Sequence, residues 1–459
     1  MPLPTEQRAP TPDGDLDEAL VEGKNAAQIQ LGPQSPPAIT LTFPEGGLRA
    51  WSNVIGCFLL AFTSFGQLNA FGVFQTYYAE NLLQDYTLSS ISWIGSVQLV
   101  ITYISGIILG RVFDIYGARS SLVIGWILST FSLMMTSLSR KYYQIVLAQG
   151  IGLGIGIALQ FYPIMTVPTH WFRAKRAAAM GIVVSGASLS GIIYPIMLSR
   201  LFDSVGFPWA VRIMAFMNFG IQAVAIPLVK ERLPHRLGLP LVDVGAFREG
   251  TFLLHIIAGF LAPFGIFFHC VLTAVCLLTG IRLGLYTPYW YIELFSLSTG
   301  LSANLSFYMI AIMNAAGLVG RVLTGYLGDR YGRFNVTVPI LVLGAISSMA
   351  IWTTSKGAAE TVVFSVIFGF TSAAYSSISA SATAQITPDP TQIGARIGMF
   401  MTAMAPGILT GPSISGAILQ HNGGNYLGLQ IFVGVMLLAA AGAESAARLY
   451  GAPQLFCIF

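Results

Sequence analysis

Gly110-Arg-Val-Phe-Asp114-Ile-Tyr-Gly117-Ala-Arg119 and Gly325-Tyr-Leu-Gly-Asp329-Arg-Tyr-Gly332-Arg333 are two copies of one pattern, G-x-x-x-D-x-x-G followed by Arg. Each closes an apolar run long enough to cross a bilayer, and each run is the second of its half of the chain. A second echo lies further along each half. Arg176-Ala-Ala-Ala-Met-Gly181 leads into Ser185-Gly-Ala-Ser-Leu-Ser-Gly191, and Arg396-Ile-Gly-Met399 leads into Gly407-Ile-Leu-Thr-Gly411-Pro-Ser-Ile-Ser-Gly416. A pattern repeated in register means two structurally equivalent halves.

Composition fixes the solvent around those halves. The 459 residues hold 23 Lys and Arg and 19 Asp and Glu, so only 9% of the chain is charged, while 54% is apolar. Soluble domains carry roughly a quarter charged residues. Mean hydropathy is +0.71, which excludes both an ordinary soluble fold and a disordered chain. The apolar residues run continuously instead of alternating, so the spanning elements are helices and not barrel strands. Approximate spans are 51–77, 90–110, 120–138, 142–167, 177–198 and 209–229, then 252–292, 304–325, 335–354, 361–386, 395–419 and 427–447. The expected fold is an all-α membrane protein with twelve transmembrane helices in two six-helix bundles.

The domain reading follows. Residues 1–44 hold eight Pro and scattered acids and read as a disordered cytoplasmic tail. Residues 45–229 form the N-terminal bundle, 230–250 a central cytoplasmic loop, 251–450 the C-terminal bundle and 451–459 a short tail. With both termini inside, twelve Lys and Arg lie on the side that carries the repeated motif and five on the other, as the positive-inside rule requires. The four Cys show no metal spacing and read as buried free thiols, so no metal or other cofactor is expected. No loop with the Lys-Ser/Thr of a nucleotide-binding motif is present, which argues against an ATP-driven pump. Nothing points to nucleic acid. The partner that composition implies is the lipid bilayer. The chain is expected to work as a monomer, with the plasma membrane as the default location.

At the repeated motif the sequence resembles the major facilitator superfamily. Within that superfamily it is similar to the fungal branch of the monocarboxylate-porter family, through Glu45-Gly-Gly-Leu-Arg-Ala-Trp51, through Phe65-Gly-Gln-Leu-Asn69-Ala-Phe-Gly-Val-Phe-Gln75-Thr-Tyr-Tyr78, and through Trp171, Phe172, Arg173 and Arg176. The resemblance covers residues 44–448. It implies a secondary transporter whose partners are a small-molecule solute and a coupling proton, or the solute's own gradient in the proton's place. Such a transporter moves a small organic solute by alternating access, with a monocarboxylate or related carboxylate or vitamin as substrate. The alternatives on the same fold are an exporter of a hydrophobic metabolite or drug, and a non-transporting nutrient sensor. The resemblance also implies that the motif residues Gly110, Asp114, Gly117, Arg119, Gly325, Asp329, Gly332 and Arg333 latch one conformation of the rocking halves.

Part of that role follows from chemistry. A carboxylate at a helix end pairs with a nearby Arg and also caps a neighbouring helix N-terminus, and glycines admit close helix approach. On this reading Asp114 pairs with Arg119, and Asp329 with Arg333. Arg321 lies eight residues before Asp329, about 12 Å deeper on a straight helix. The resemblance makes it the substrate-binding Arg of the eighth helix. The bland alternative is that it binds backbone carbonyls or lipid phosphate.

Where animal members of the family carry an Asp before that Arg this chain has Gly317, and Asn69 stands where they carry a Lys. Both departures weigh against proton-coupled carriage of lactate-like acids. Gln67, Asn69, Gln160, Asn314 and Gln385 are further binding candidates; amides of this kind also serve simply to join helices. Asn314 and Arg321 share a helix face, whereas Gln67 and Asn69 do not. Phe71, Tyr77, Tyr78 and the aromatics at 286–291 read as an interfacial belt, and His255 as a satisfied interfacial residue.

The seventh region is anomalous. About fifty residues pass between Thr251 and Asn304 without a strongly polar break. Measured against the repeat, roughly twelve are in excess. Phe268–Arg282 reads as an insertion of the kind a retained intron produces; a thirteenth span would carry Asp329 and Arg333 to the wrong side.

Overall fold

The computed structural model describes residues 43–233, 242–262 and 287–451. The suspected insertion at 268–282 and both proposed tails lie outside the described residues or nearly so. All regular structure among the described residues is helical. The first half comprises α1 (Leu48–Leu82), α2 (Leu88–Ile104, then Gly106–Tyr116), α3 (Ala118–Leu138), α4 (Tyr142–Trp171), α5 (Arg176–Val205) and α6 (Phe207–Leu228). The second comprises α7, described in two parts as Gly250–Leu261 and Thr287–Ser298, then α8 (Ala303–Tyr331), α9 (Arg333–Trp352), α10 (Ala358–Gln385), α11 (Ile393–His421) and α12 (Leu427–Gly451). Nine of the described helices are individually long and apolar enough to span a membrane, and the bent α2 makes ten. The helices α7 and α11 occupy the two remaining positions of the twelve-helix layout.

Local chemistry sets the boundaries. The Thr87 hydroxyl accepts from the Ser90 amide at the start of α2, and the Ser302 hydroxyl from the Leu305 amide before α8. Gly117 and Gly332 hold φ of +79° and +94°, which lets the chain turn sharply from α2 into α3 and from α8 into α9. The 46° bend in α2 has an identifiable cause. At the break the Thr402 hydroxyl of α11 accepts from the Ile107 amide at 3.1 Å, and the Tyr162 hydroxyl of α4 donates to the Thr102 and Tyr103 carbonyls, both at 3.0 Å. Backbone groups that leave the helical ladder are thus taken up by neighbouring helices, as a membrane interior requires.

The packing differs between the two ends of the molecule. At the end that carries the repeated motif, one continuous core joins both halves. It unites Val54, Phe113, Leu122, Met165 and Phe172 of the first half with Ala380, Ala384, Met399, Phe400, Met401 and Met404 of the second. Towards the opposite end there are two separate cores. One belongs to the first half (Phe74, Tyr78, Ile94, Tyr194, Phe207), the other to the second (Phe295, Met309, Trp352, Phe368, Phe432). Phe71 and Tyr78, expected in an interfacial belt, are 4% and 0% exposed. They sit inside the first-half core, where the Tyr78 hydroxyl donates to Gln149 Oε1. The reason is that α1 continues past Ala70 to Leu82, so these rings face neighbouring helices.

Candidate functional site

The repeated motif builds two corners, each joining a helix end of one half to a helix start of the other. At the first corner α2 meets α11. A Cβ on Gly110 would lie 2.4 Å from the Gly394 carbonyl oxygen, and one on Gly398 would lie 2.1 Å from that of Gly106. This spacing admits glycine and no other residue. Asp114 Oδ2 accepts from the Ala395 amide at 2.8 Å, so the carboxylate caps the start of α11 where the helix dipole favours negative charge. The guanidinium beside it is Arg111, at 3.8 Å. Here the expected Asp114–Arg119 pair is corrected: the turn at Gly117 leaves Arg119 exposed, and Arg111, one helical turn before Asp114 on the same face, takes the place.

At the second corner α8 meets α5. A Cβ on Gly325 would lie 2.4 Å from the Ala177 carbonyl oxygen, and one on Gly181 would lie 2.3 Å from that of Arg321. Asp329 uses both oxygens: Oδ1 accepts from the Ala177 amide at 2.9 Å and Oδ2 from the Ala178 amide at 2.8 Å. Arg333 pairs with Asp329 at 3.1 Å and donates to the Arg173 carbonyl across the interface. Arg176 donates to the Ala384 carbonyl of α10, again across it.

Two residues that sequence reasoning left without a role complete this end. Glu45 accepts from the amides of Arg173, Ala174 and Lys175 at 2.7, 2.8 and 3.1 Å, holding the approach to α5 from within its own half. Glu249, in the equivalent place before α7, forms a two-pronged pair with Arg396 at 2.7 and 2.6 Å. The Glu-Gly that precedes the first helix of each half was the available signal.

Away from these corners, a cavity of about 580 Å³ lies between the halves at the opposite end. Its lining comes from the far ends of α1 (Asn69, Thr76, Tyr77, Glu80, Asn81) and α5 (Pro195, Ser199, Phe202, Asp203), from Glu293 of α7, and from Phe307, Ile310 and Ala311 near the start of α8. Among the described residues the chain is therefore closed at the motif end and open at the other.

Of the sequence-derived binding candidates, Asn69 lines this cavity, and its amide nitrogen also donates to the Ala187 carbonyl. The others lie elsewhere. Arg321 donates to the Val184 carbonyl at 2.6 Å across the α5–α8 contact. Asn314 donates to the Ile310 carbonyl and packs over Gly191. Gln67 donates to the Thr63 carbonyl in the same helix. Gln160 accepts from Ser64 and donates to Ser129, tying α4 to α1 and α3. Gln385 is the last residue of α10, at the motif end.

His255 is corrected as well. It is fully buried, its Nδ1 lies 3.0 Å from the Glu444 carboxylate, and its ring stacks on Phe400. Its partner is 189 residues away, out of reach of local pattern.

Two helical bundles, closed together at one end and parted around a cavity at the other, are the architecture of an alternating-access membrane transporter. A family profile described as Major Facilitator Superfamily matches residues 57–362. The chain belongs to that superfamily. It is 37% identical to the MFS transporter asaE of Aspergillus flavus, over 95% of this chain and 94% of that one. To the aspyridones efflux protein apdF of Emericella nidulans it is 38% identical, over 93% and 81%. To the fujikurins efflux protein of Gibberella fujikuroi it is 36% identical, over 88% and 84%. The fold is shared with the human organic anion transporter MFSD10 (TM-score 0.63, 12% identity, 87% and 99% covered). It is shared also with the Escherichia coli fucose:proton symporter FucP (TM-score 0.60, 14% identity, 86% and 98% covered).

Proposed function

We propose that the chain is a secondary active exporter of an apolar small metabolite, working by alternating access with the motif end on the cytoplasmic side. The observation that carries this reading is the cavity lining. It joins apolar and aromatic side chains (Val73, Tyr77, Phe202, Phe307, Ile310) to neutral amides and carboxylates, with no Lys or Arg among the described lining residues. A monocarboxylate needs a cation to meet it, and Arg321, the cation the resemblance offers, donates to a backbone carbonyl at the α5–α8 contact. The two relatives named as efflux proteins, for aspyridones and fujikurins, support the same direction. These observations favour the hydrophobic-exporter alternative over a carrier of carboxylates.

The test is redistribution of metabolites in the organism that encodes the chain. Deletion of the gene is expected to move an apolar metabolite from medium to cells, read by mass spectrometry of both fractions, with restoration on re-expression. Labelled lactate and pyruvate uptake by the same strains is expected to be unchanged. Uptake that falls with the gene and with Arg321→Ala, without any shift of apolar metabolites, would return the carboxylate reading.

A further inference from the structure

Three carboxylates line the cavity, and they are not equivalent. Glu80 and Asp203 are exposed, each two residues from the end of its helix, at the mouth. Glu293 lies more than a turn inside α7 and is half-buried. Across the cavity it faces α1 and α5, which present Tyr77, Glu80 and Asp203 as their titratable groups. The start of α8 presents only Phe307, Ile310 and Ala311. On its own helix Tyr289 is one turn away and hydrogen-bonds Ser372 of α10, and Tyr426, before α12, packs against Phe295. No Lys, Arg or His is among the described residues that line the cavity, and no ion pair to Glu293 exists among the described residues.

The cavity can keep a charged Glu293 only while water fills it. Closing the mouth brings α1 and α5 towards α7 and α8, expels that water and presses Glu80 and Asp203 towards a third negative charge. With α11 contributing His421 at its exposed end, an ionised carboxylate in the bundle interior then has neither solvent nor, among the described residues that line the cavity, a counter-charge. We propose that Glu293 is a proton-binding site of this chain, and that the cavity closes only when Glu293 has taken a proton. The proton comes from the solution that fills the open cavity, adds to one carboxylate oxygen to give the neutral acid, and leaves when the site is next hydrated. The proposal rests on the alternating cavity of the exporter reading and assigns to one side chain the step that links pH to its closure.

The test reads the mouth directly, without solute. The full chain, its four native cysteines replaced by serine, carries spin labels at Gln84→Cys and Ala303→Cys, on opposite sides of the mouth. It is reconstituted in nanodiscs, and the label separation is measured by electron–electron resonance from about pH 8 to about pH 5. A single proton taken up on closing changes the closed-to-open ratio by up to about tenfold per pH unit. The wild-type mouth is expected to close progressively as pH falls. Glu293→Gln is expected to give the same mixture at every pH, with the closed form raised above wild type at high pH. Glu293→Asp, which keeps the carboxylate, should retain a pH-dependent transition, and with it shows that loss of the transition in Gln is not loss of fold. Glu80→Gln and Asp203→Asn should retain it too.

A wild-type mouth insensitive to pH, a transition that survives in Glu293→Gln, or one that vanishes in Glu80→Gln or Asp203→Asn instead overturns the assignment. The exporter reading is scored separately, by metabolite redistribution at fixed pH. Redistribution with a pH-insensitive mouth sinks only the Glu293 site; a pH-driven mouth without redistribution sinks only the exporter.

Discussion

The α8–α5 corner and the α2–α11 corner are the same device built twice, yet they are not equally tight. Asp329 engages two backbone amides and a guanidinium at 3.1 Å, while Arg333 and Arg176 add donors that cross to the other half. Asp114 accepts at 2.8 Å from the Ala395 amide, with the Gly394 amide as a second, weaker backbone neighbour, and its guanidinium partner stands off at 3.8 Å. Arg111 itself is 1% exposed, with Nε and Nη2 lacking hydrogen-bond partners among the described residues. The large basic residue at the start of α11, Arg396, is held within its own half by Asp243 and Glu249. The motif end is therefore asymmetric: the second-half aspartate holds the first half more firmly than the reverse. Opening of this end should begin at the α2–α11 corner.

Substitutions break this comparison in graded fashion. Asp329→Asn should have the largest effect. It removes a charge that caps two amides and leaves Arg333 buried without its carboxylate, and loss of one member of such a pair costs about 3 kcal/mol or more. The expected result is roughly a hundredfold rise in the labelling rate of a cysteine placed inside the motif end. Asp114→Asn loses a charge-assisted cap, worth about 1–2 kcal/mol at a helix start, and it too leaves a buried guanidinium, that of Arg111, without its carboxylate. The ion pair given up is the longer one, at 3.8 Å, so the same rate should rise less, about tenfold. Equal effects at the two sites would remove the asymmetry.

Glu45→Gln tests a different point, because its three bonds lie within one half. Weakening a charge-assisted cap should cost about 1 kcal/mol and lower the thermal midpoint of the purified protein in detergent. The open-to-closed ratio of the motif end should stay within about twofold, since both conformations keep the contact. The smallest change is expected at Arg119→Ala, an exposed position where substitutions usually stay within about 0.5 kcal/mol. An Arg119→Ala effect matching that of Asp114→Asn would restore the Asp114–Arg119 pair that the motif spacing suggests.

How much of this was legible in the sequence depends on the distance over which each contact acts. The helical membrane fold and the doubled motif follow from composition and local pattern. So does the Asp329–Arg333 pair, four residues apart on one helix. Asp329 reaches amides 152 and 151 residues away, and Asp114 one that lies 281 residues away. Those partners are backbone groups, which every residue possesses, so no side-chain pattern marks them. Arg119 misled for a geometric reason: the positive φ at Gly117 turns the next helix away from Asp114.

The amides failed differently. Gln67 and Gln160 read equally well as ligand or as helix-joining groups, with Asn314 set above them by the face it shares with Arg321. In the structure Gln160 joins helices, Gln67 bonds within its own helix, and Asn314 bonds within its own helix and packs against Gly191. Glu293 fell just past the end of the long seventh apolar region, where its position in the cavity could not be seen. His255 and Glu444 are unremarkable alone and form a site only when α7 and α12 are packed together.

The continuous core at the motif end bears on how the chain is made. It contains residues as distant in sequence as Ala50 and Ile408. Domains fold as their chain emerges, N-terminal parts first. The first half can complete its own core around Phe74 and Phe207 during synthesis, but its other apolar face must wait for Met399, Phe400 and Met404. Until α11 has been inserted, lipid tails cover that face in place of protein. The two halves are thus structural repeats that each hold a core of their own and share a third, whose packing is completed only when α11 is in place.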